Sequence, residues 1–527
     1  MTLRCCLLLG CAALASISPT RLQADVKLAR LFSDRAVLQR DRELPVWGWA
    51  DPGETVRVSL GQKQAETVAD ARGKWTVRLA PQPLSKQPLT LKVVGRKTVE
   101  VRDVLLGDVW LCSGQSNMDF PLGACDAAAD IQAADFPLIR QFGVALNFAQ
   151  NPQTDVVGDW QTCTPQHVPG FSAVGFYFAR KVCQETGVPI GILRSSVGGT
   201  NIECWMSQET LLNTPELEPF AKLMRQSLAD YQVELAAALP DIEAWVTRSR
   251  EAVRTGQAIP LPPTWPEFPF GERRFRPRCV TLHNGMIAPL IPISLKGALW
   301  YQGENNAGGP QDGEQYIAKT RALVRDWRQW FGNPDLPFYF VQLAAWQQPH
   351  NNPELADGWA FFRDAQRRCL SIPHTGMASA VDVGDADDIH PKNKLDVGER
   401  LARWALAEEY GQKLESSGPL FRKLVIEGHA ARLQFDHVGS GLMIGRKVGR
   451  TSVTPEPQGQ LQRFAIAGAD RQWRWATAVI DGDTVVCSHP DVPNPVAIRY
   501  AFSMNPAGAN LYNREGLPAS PFRTDDW

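Results

Sequence analysis

A chain of 527 residues, 44% hydrophobic and 21% charged, can bury a large core and has room for about two to four domains. A formal net charge of −1 gives neither the basic surface of a nucleic-acid binder nor a polybasic membrane anchor. Beyond the N-terminus no run reaches the roughly 20 apolar residues that span a bilayer, so no integral membrane span is expected.

Arg4 precedes an apolar stretch from Cys5 to Ile17, and Leu22-Gln23-Ala24 offers a small-residue cleavage site before Asp25. This pattern predicts a signal peptide over 1–24 and an exported protein, periplasmic or extracellular. Leu8-Leu9-Gly10-Cys11 is only a weak lipoprotein box, because so early a cysteine leaves almost no apolar core before it. Lipid anchoring is therefore the less favoured reading. Export permits disulfides, yet Cys112, Cys125, Cys163, Cys183, Cys204, Cys279, Cys369 and Cys487 are scattered singly and spacing does not pair them. Several read as small buried apolar residues, Cys112 among them. The histidines are isolated and His-Glu-x-x-His is absent, so neither a metal nor another cofactor is expected.

From 25 to 105, short β-like runs alternate with turn signals: Leu44–Ala50, Thr55–Ser59, Trp75–Leu79 and Leu89–Val94, with turns at Asp51-Pro52-Gly53 and Ala71-Arg72-Gly73. That rhythm predicts a β-sandwich-like domain. From 106 to 410, strands alternate with longer helical patterns, as in a parallel sheet covered by helices. Predicted strands are Val109–Cys112, Ile190–Ser195, Leu295–Tyr301, Phe338–Leu343 and Met377–Val383. Predicted helices are Phe171–Thr186, Glu314–Trp330 and Lys394–Tyr410. A helical insertion occupies about 207–280, its helix opened by Thr214-Pro215. The proline-rich stretch Ile259–Phe270 reads as a stiff connection, or as a rim offering Trp265 or Phe268 to a sugar ring. Residues 411–527 return to short strands and predict a C-terminal β domain. The fold class is thus α/β, a three-layer core flanked by two β-sandwich-like domains.

The chemistry is expected at the strand ends. Val109–Cys112 runs into Ser113-Gly114-Gln115-Ser116-Asn117-Met118, which presents Ser116 among small and polar residues. This is not the Gly-x-Ser-x-Gly elbow, because Asn117-Met118 stands where the second glycine would be. Alone, it reads equally well as a structural turn. A serine nucleophile needs a base, a group that orients the base, and donors for the oxyanion. In a parallel sheet the carboxyl ends of the strands share one crevice, so loops after different strands can supply them.

The candidate base is His390, within Asp385–Lys394, with Asp387 three residues and Asp388 two residues before it. Ser195-Ser196-Val197-Gly198-Gly199-Thr200 offers glycine amides to an oxyanion. Trp300–Asn306 puts amide side chains at another strand end, Gln302 the first choice as donor and Asn306 beyond it. Glu304 reads as a buried structural acid or as a tie between loops. Each segment taken alone has a plainer structural reading; their combination, each after a strand, is what points to a site.

In this order the segments resemble the SGNH-type hydrolases, specifically the sialate O-acetylesterase family of carbohydrate esterases. The similarity runs through Gly107–Met118, Gly198–Thr200, Asn284–Met286, Trp300–Asn306, Asp388–Pro391 and Tyr512–Trp527. It implies an SGNH-hydrolase-like core and a metal-independent serine esterase that removes O-acetyl groups from sugars, with an acetylated sugar or glycan as partner. Residue by residue, it puts Ser116 as nucleophile and His390 as base. Oxyanion donors would be the Ser116 N–H, a glycine N–H at Gly199 or Gly198, and Gln302. For the acid, the Asp-x-x-His spacing of SGNH enzymes ranks Asp387 first. The family's habit of placing an acid directly before Ile-His selects Asp388, and a dyad oriented by a backbone carbonyl is a third form. Sialate is the first substrate reading, with Arg194 and Arg274 as guesses for its carboxylate. The alternatives are acetylated xylan or another polysaccharide, and, from another class, a non-catalytic carbohydrate-binding protein on an esterase scaffold.

Overall fold

The structure is a computed structural model that describes residues 25–270 and 279–527; the expected signal segment and Arg274 lie outside the described residues. Its centre is a large mixed sheet. In chain order the central strands are β1 (Thr98–Gly114), β2 (Phe136–Gly143), β3 (Trp160–Cys163), β4 (Ile190–Ser196), β5 (Gly297–Tyr301), β6 (Phe338–Gln342) and β7 (Thr375–Ser379). They lie in the order β3-β2-β4-β1-β5-β6-β7, parallel throughout except for β3 on β2 at one edge. β1 is therefore the middle strand, where the winding changes direction. Ligands of open α/β sheets bind outside the carboxyl ends at such a point.

β1 is buried without a break from Val104 to Gly114, as expected of a strand covered on both faces. Trp110 packs edge-on against Phe178 at 4.9 Å and stacks on Tyr339 at 5.9 Å, tying the strand to a helix and to β6. β1 is also longer than expected. Its first half pairs antiparallel with Ser85–Val94 and its middle runs parallel to Val37–Gln39, so the boundary expected near 105 falls inside one continuous strand. The N-terminal β region accordingly shares a single apolar core with the central sheet.

The helices that frame the sheet and the site include α1 (Ser116–Asp119), α2 (Ala173–Thr186), α3 (Glu218–Thr255), α4 (Pro310–Trp330), α5 (Gly358–Arg368) and α6 (Lys394–Glu408). Ser172 caps α2 by accepting from the Gly175 N–H, and Gly187, left-handed at φ 66°, ends it. α4 begins at Pro310, earlier than the sequence suggests, because Asp312 accepts from the Gly309 N–H across the first turn. α2 packs on α6 and α4 on α5. The insertion is dominated by α3, one helix of 38 residues. In the proline-rich stretch, Phe268 packs edge-on against Tyr231 of α3 and against Phe270, so it is a packing residue rather than an open platform; Trp265 is exposed.

Residues 420–523 form three further small sheets around a second apolar core that includes Leu433, Phe464, Ile498 and Phe522. Six of the cysteines named above, Cys112 among them, are buried. Among the described residues no helix is long and apolar enough to cross a membrane, and no cluster of three potential metal ligands occurs.

Candidate active site

Register sets the site. Gly114 at the end of β1 lies opposite Ser196 of β4 and Tyr301 of β5, so the chain leaves all three strands at one level. Gly114 has φ 133°, and a Cβ there would sit 2.1 Å from the Tyr301 carbonyl oxygen, so only glycine lets β1 approach β5 this closely. The chain then turns at once into α1, whose first residue is Ser116. The Val197 N–H donates to Gly114 O at 3.1 Å, which seats the Gly198-Gly199 loop beside the serine. A Cβ on Gly198 would lie 3.3 Å from that of Ser116, whereas one on Gly199 would meet open space.

His390 arrives from the loop after β7. Its Nε2 lies 2.8 Å from Ser116 Oγ, across 274 residues of sequence. Its Nδ1 is 3.2 Å from Asp388 Oδ1, and the same carboxylate oxygen accepts from the His390 backbone N–H at 2.8 Å. Asp387, ranked first from its spacing, instead accepts from Gln348 Nε2 at 2.8 Å on the outer side of the loop. The reason is local: with Asp388 already bonded to the His390 amide, the turn brings position 388 to the ring. The imidazole lies nearly parallel to the Phe120 ring, 5.9 Å and 15° between planes.

Gln302 is not placed as the expected oxyanion donor. It is fully buried, and its amide nitrogen donates to Asn306 Oδ1 at 2.7 Å, Thr200 O at 3.1 Å and Gln115 Oε1 at 3.2 Å. A carboxamide nitrogen carries two hydrogens, and both are used inside the protein. Asn306 is likewise committed, accepting from the Ile202 N–H at 3.0 Å and donating to Glu203 Oε2 at 3.1 Å. These two amides brace the loops that surround the serine. The exposed amide at the mouth belongs to Asn305, which donates to Gly199 O and to Asn201 Oδ1, each at 3.0 Å.

Two residues that the sequence did not single out, Asn117 and Lys394, complete the site together with Glu304, which was read as a buried acid or a tie between loops. Asn117, directly after the serine, donates to Glu304 Oε1 at 2.5 Å and to Ile389 O at 3.1 Å. Its Oδ1 accepts from Lys394 Nζ at 2.5 Å. Burial holds the Glu304 carboxyl above the usual range and pushes Lys394 down to about 7, although neighbouring acids oppose the lysine shift. Arg194, proposed for a substrate carboxylate, is paired with Asp119 at 2.9 Å, and Ser196 Oγ donates to the same oxygen.

Comparison with known proteins identifies the family. The family described as carbohydrate esterase, sialic acid-specific acetylesterase, matches residues 106–239 and 279–407. Sialate O-acetylesterase of Rattus norvegicus is 30% identical over 565 aligned residues, with 94% of each chain covered. That of Mus musculus is 29% identical over 560 residues, again with 94% of each covered. A crystal structure of a carbohydrate acetylesterase from Xanthomonas citri is 38% identical and superposes with a TM-score of 0.77, covering 95% of this chain and 100% of that one. The chain therefore belongs to the sialic acid-specific acetylesterase family of carbohydrate esterases and is a carboxylic-ester hydrolase.

Proposed function

We propose that the protein is an SGNH-type serine esterase that removes O-acetyl groups from sugars through an acetyl-serine intermediate. The observation that carries this reading is His390 Nε2 at 2.8 Å from Ser116 Oγ, with Asp388 on the other ring nitrogen. Ser116 attacks the acetyl carbonyl while His390 takes its proton. Asp388 accepts from Nδ1–H, which keeps Nε2 free as the base and stabilises the imidazolium that forms. The backbone N–H groups of Ser116 and Gly198 face the oxyanion, Gly198 rather than Gly199 because it lies against the serine. His390 then protonates the departing sugar hydroxyl. Water, activated by the same ring, releases acetate and restores the serine.

Acetylated sialic acid is the first substrate, supported by the coverage of the mammalian relatives. A specific observation favours a second reading, a neutral acetylated polysaccharide: the Arg194 charge is already met by Asp119, and the acid Asp388 lies beside His390. Export through a signal peptide over 1–24 belongs to the same proposal. The test is acetate release from acetylated sialic acid and acetylated xylan side by side, with wild type and Ser116→Ala. Release from sialate that Ser116→Ala abolishes in a folded protein supports the proposal. Release from xylan alone overturns the sialate reading, and retained activity in Ser116→Ala overturns the serine mechanism.

A further inference from the structure

We infer that Asn117 and Lys394 are positioning residues that hold His390 on Ser116, an inference that rests on the Ser116–His390 reading above. Asn117 donates to the carbonyl of Ile389, the residue before His390. Lys394 Nζ donates at 2.7 Å to the carbonyl of Pro391, the residue after it, and at 2.5 Å to Asn117 Oδ1. The backbone on both sides of the base is thus tied to the side chain of the residue that follows the nucleophile. Lys394 is fully buried, with Nζ 4.9 Å from the centre of the Phe120 ring and 5.6 Å from that of Tyr301. Phe120 in turn lies against the His390 ring. One amine therefore supports the base through its main chain and through the ring behind it.

Packing alone would not select this residue. Burying an amine or ammonium costs solvation that an apolar side chain of equal length avoids. What the lysine adds is a pair of donors for two acceptors, Asn117 Oδ1 and Pro391 O, and both the ammonium and the neutral amine have enough hydrogens for them. The Glu304 carboxylate, accepting from Asn117 Nδ2, fixes which way the asparagine amide faces.

The experiment compares wild type, Lys394→Met and Asn117→Ala by steady-state kinetics on an acetyl ester, by labelling with a serine-reactive phosphonate, and by thermal melting. Lys394→Met keeps the stem and removes both donors. The expected result is a fall in kcat of about 10–100-fold with KM nearly unchanged, since small displacements of a base cost that much. Phosphonate labelling of Ser116 slows by the same factor, while Lys394→Met melts at or above the wild-type temperature. Asn117→Ala, a second route to the same loss, slows labelling likewise. Wild-type kcat and labelling rate in either folded variant overturn the inference. So does a fall in kcat that vanishes once rates are normalised to the titre of phosphonate-reactive sites. If wild type itself takes no phosphonate on Ser116, the underlying serine reading fails instead.

Discussion

The aspartate before Ile-His is set by one backbone bond. Because Asp388 Oδ1 accepts from the His390 N–H as well as facing Nδ1, it cannot leave the ring without also opening the turn. Asp388→Asn is therefore expected to lower kcat by roughly 10–100-fold, less than the roughly 10⁴ known for a fully buried triad aspartate, because the Asp388 side chain is 46% exposed. Asp387→Asn removes only a contact to Gln348 and should leave kcat near wild type; the two rates measured together decide the assignment. Lys394 makes a prediction in pH. Desolvation lowers its folded pKa from 10.5 to about 7, so between those values the unfolded chain binds the extra proton. This group's contribution to stability therefore rises with pH through that window, and its cost is greatest below it. Lys394→Met should exceed wild type in stability at pH 7, with the difference shrinking toward pH 10 in urea titrations. Glycine 114 sets a further limit. Gly114→Ala would place a methyl 2.1 Å from Tyr301 O at a left-handed φ, and should cost several kcal/mol in denaturant unfolding, about 2–4.

At the scale of elements, what the sequence revealed was what periodicity and apolar runs encode. Strands β4 and β6 and the helices α2 and α6 are found close to where the pattern puts them, because each is long or strongly apolar and α2 has a cap at each end. Strands β2 and β3 were not legible. β2 contains Pro137 and two long polar side chains, and β3 is a four-residue antiparallel edge strand, so neither shows a strand period by itself. α5 begins at glycine and carries Arg363, Asp364, Gln366, Arg367 and Arg368, which read as solvent-facing although the first three are buried. The site divides in the same way. Ser116 and His390 were legible because the first follows a strand end among small and polar residues and the second lies in an acidic loop after another strand. Lys394 was not: a lysine opening a helix reads as a solvated residue, and only a partner 277 residues away shows that it is buried. Gln302 misled for a related reason, since its position at a strand end is right and only the loop contacts reveal that its donors are spent.

At the scale of the molecule, the two apolar cores meet around one guanidinium. Arg363 of α5 is fully buried and donates to Leu343 O and Ala344 O at the end of β6, and to Ser503 O and Met504 O of the C-terminal region. Desolvation drives its pKa down to about 9, still on the charged side of neutrality, and four carbonyl oxygens are what the buried cation has in exchange for water. The same region reaches the site. Met504 O accepts from the Trp346 N–H, Trp346 bridges to Asp385 in the loop that carries His390, and Asn505 Nδ2 donates to Gln347 O. On the other side of that loop, Asn393 donates to Gly449 O at 3.0 Å and Lys447 pairs with Asp396 at 2.7 Å. The C-terminal β region thus holds the His390 loop from both flanks. Removing the guanidinium leaves four carbonyls, twice as many acceptors as Lys394 serves, without its donors at the junction, so Arg363→Met should destabilise the protein by about 1–3 kcal/mol net of the relieved desolvation of the cation. Since the cores are separate on either side, the loss should fall on their coupling. Calorimetry of Arg363→Met is expected to resolve a lower transition for the C-terminal region ahead of the central one, with esterase activity lost at the first. A single sharp transition displaced as a whole would mean that the cores remain one cooperative unit without the arginine.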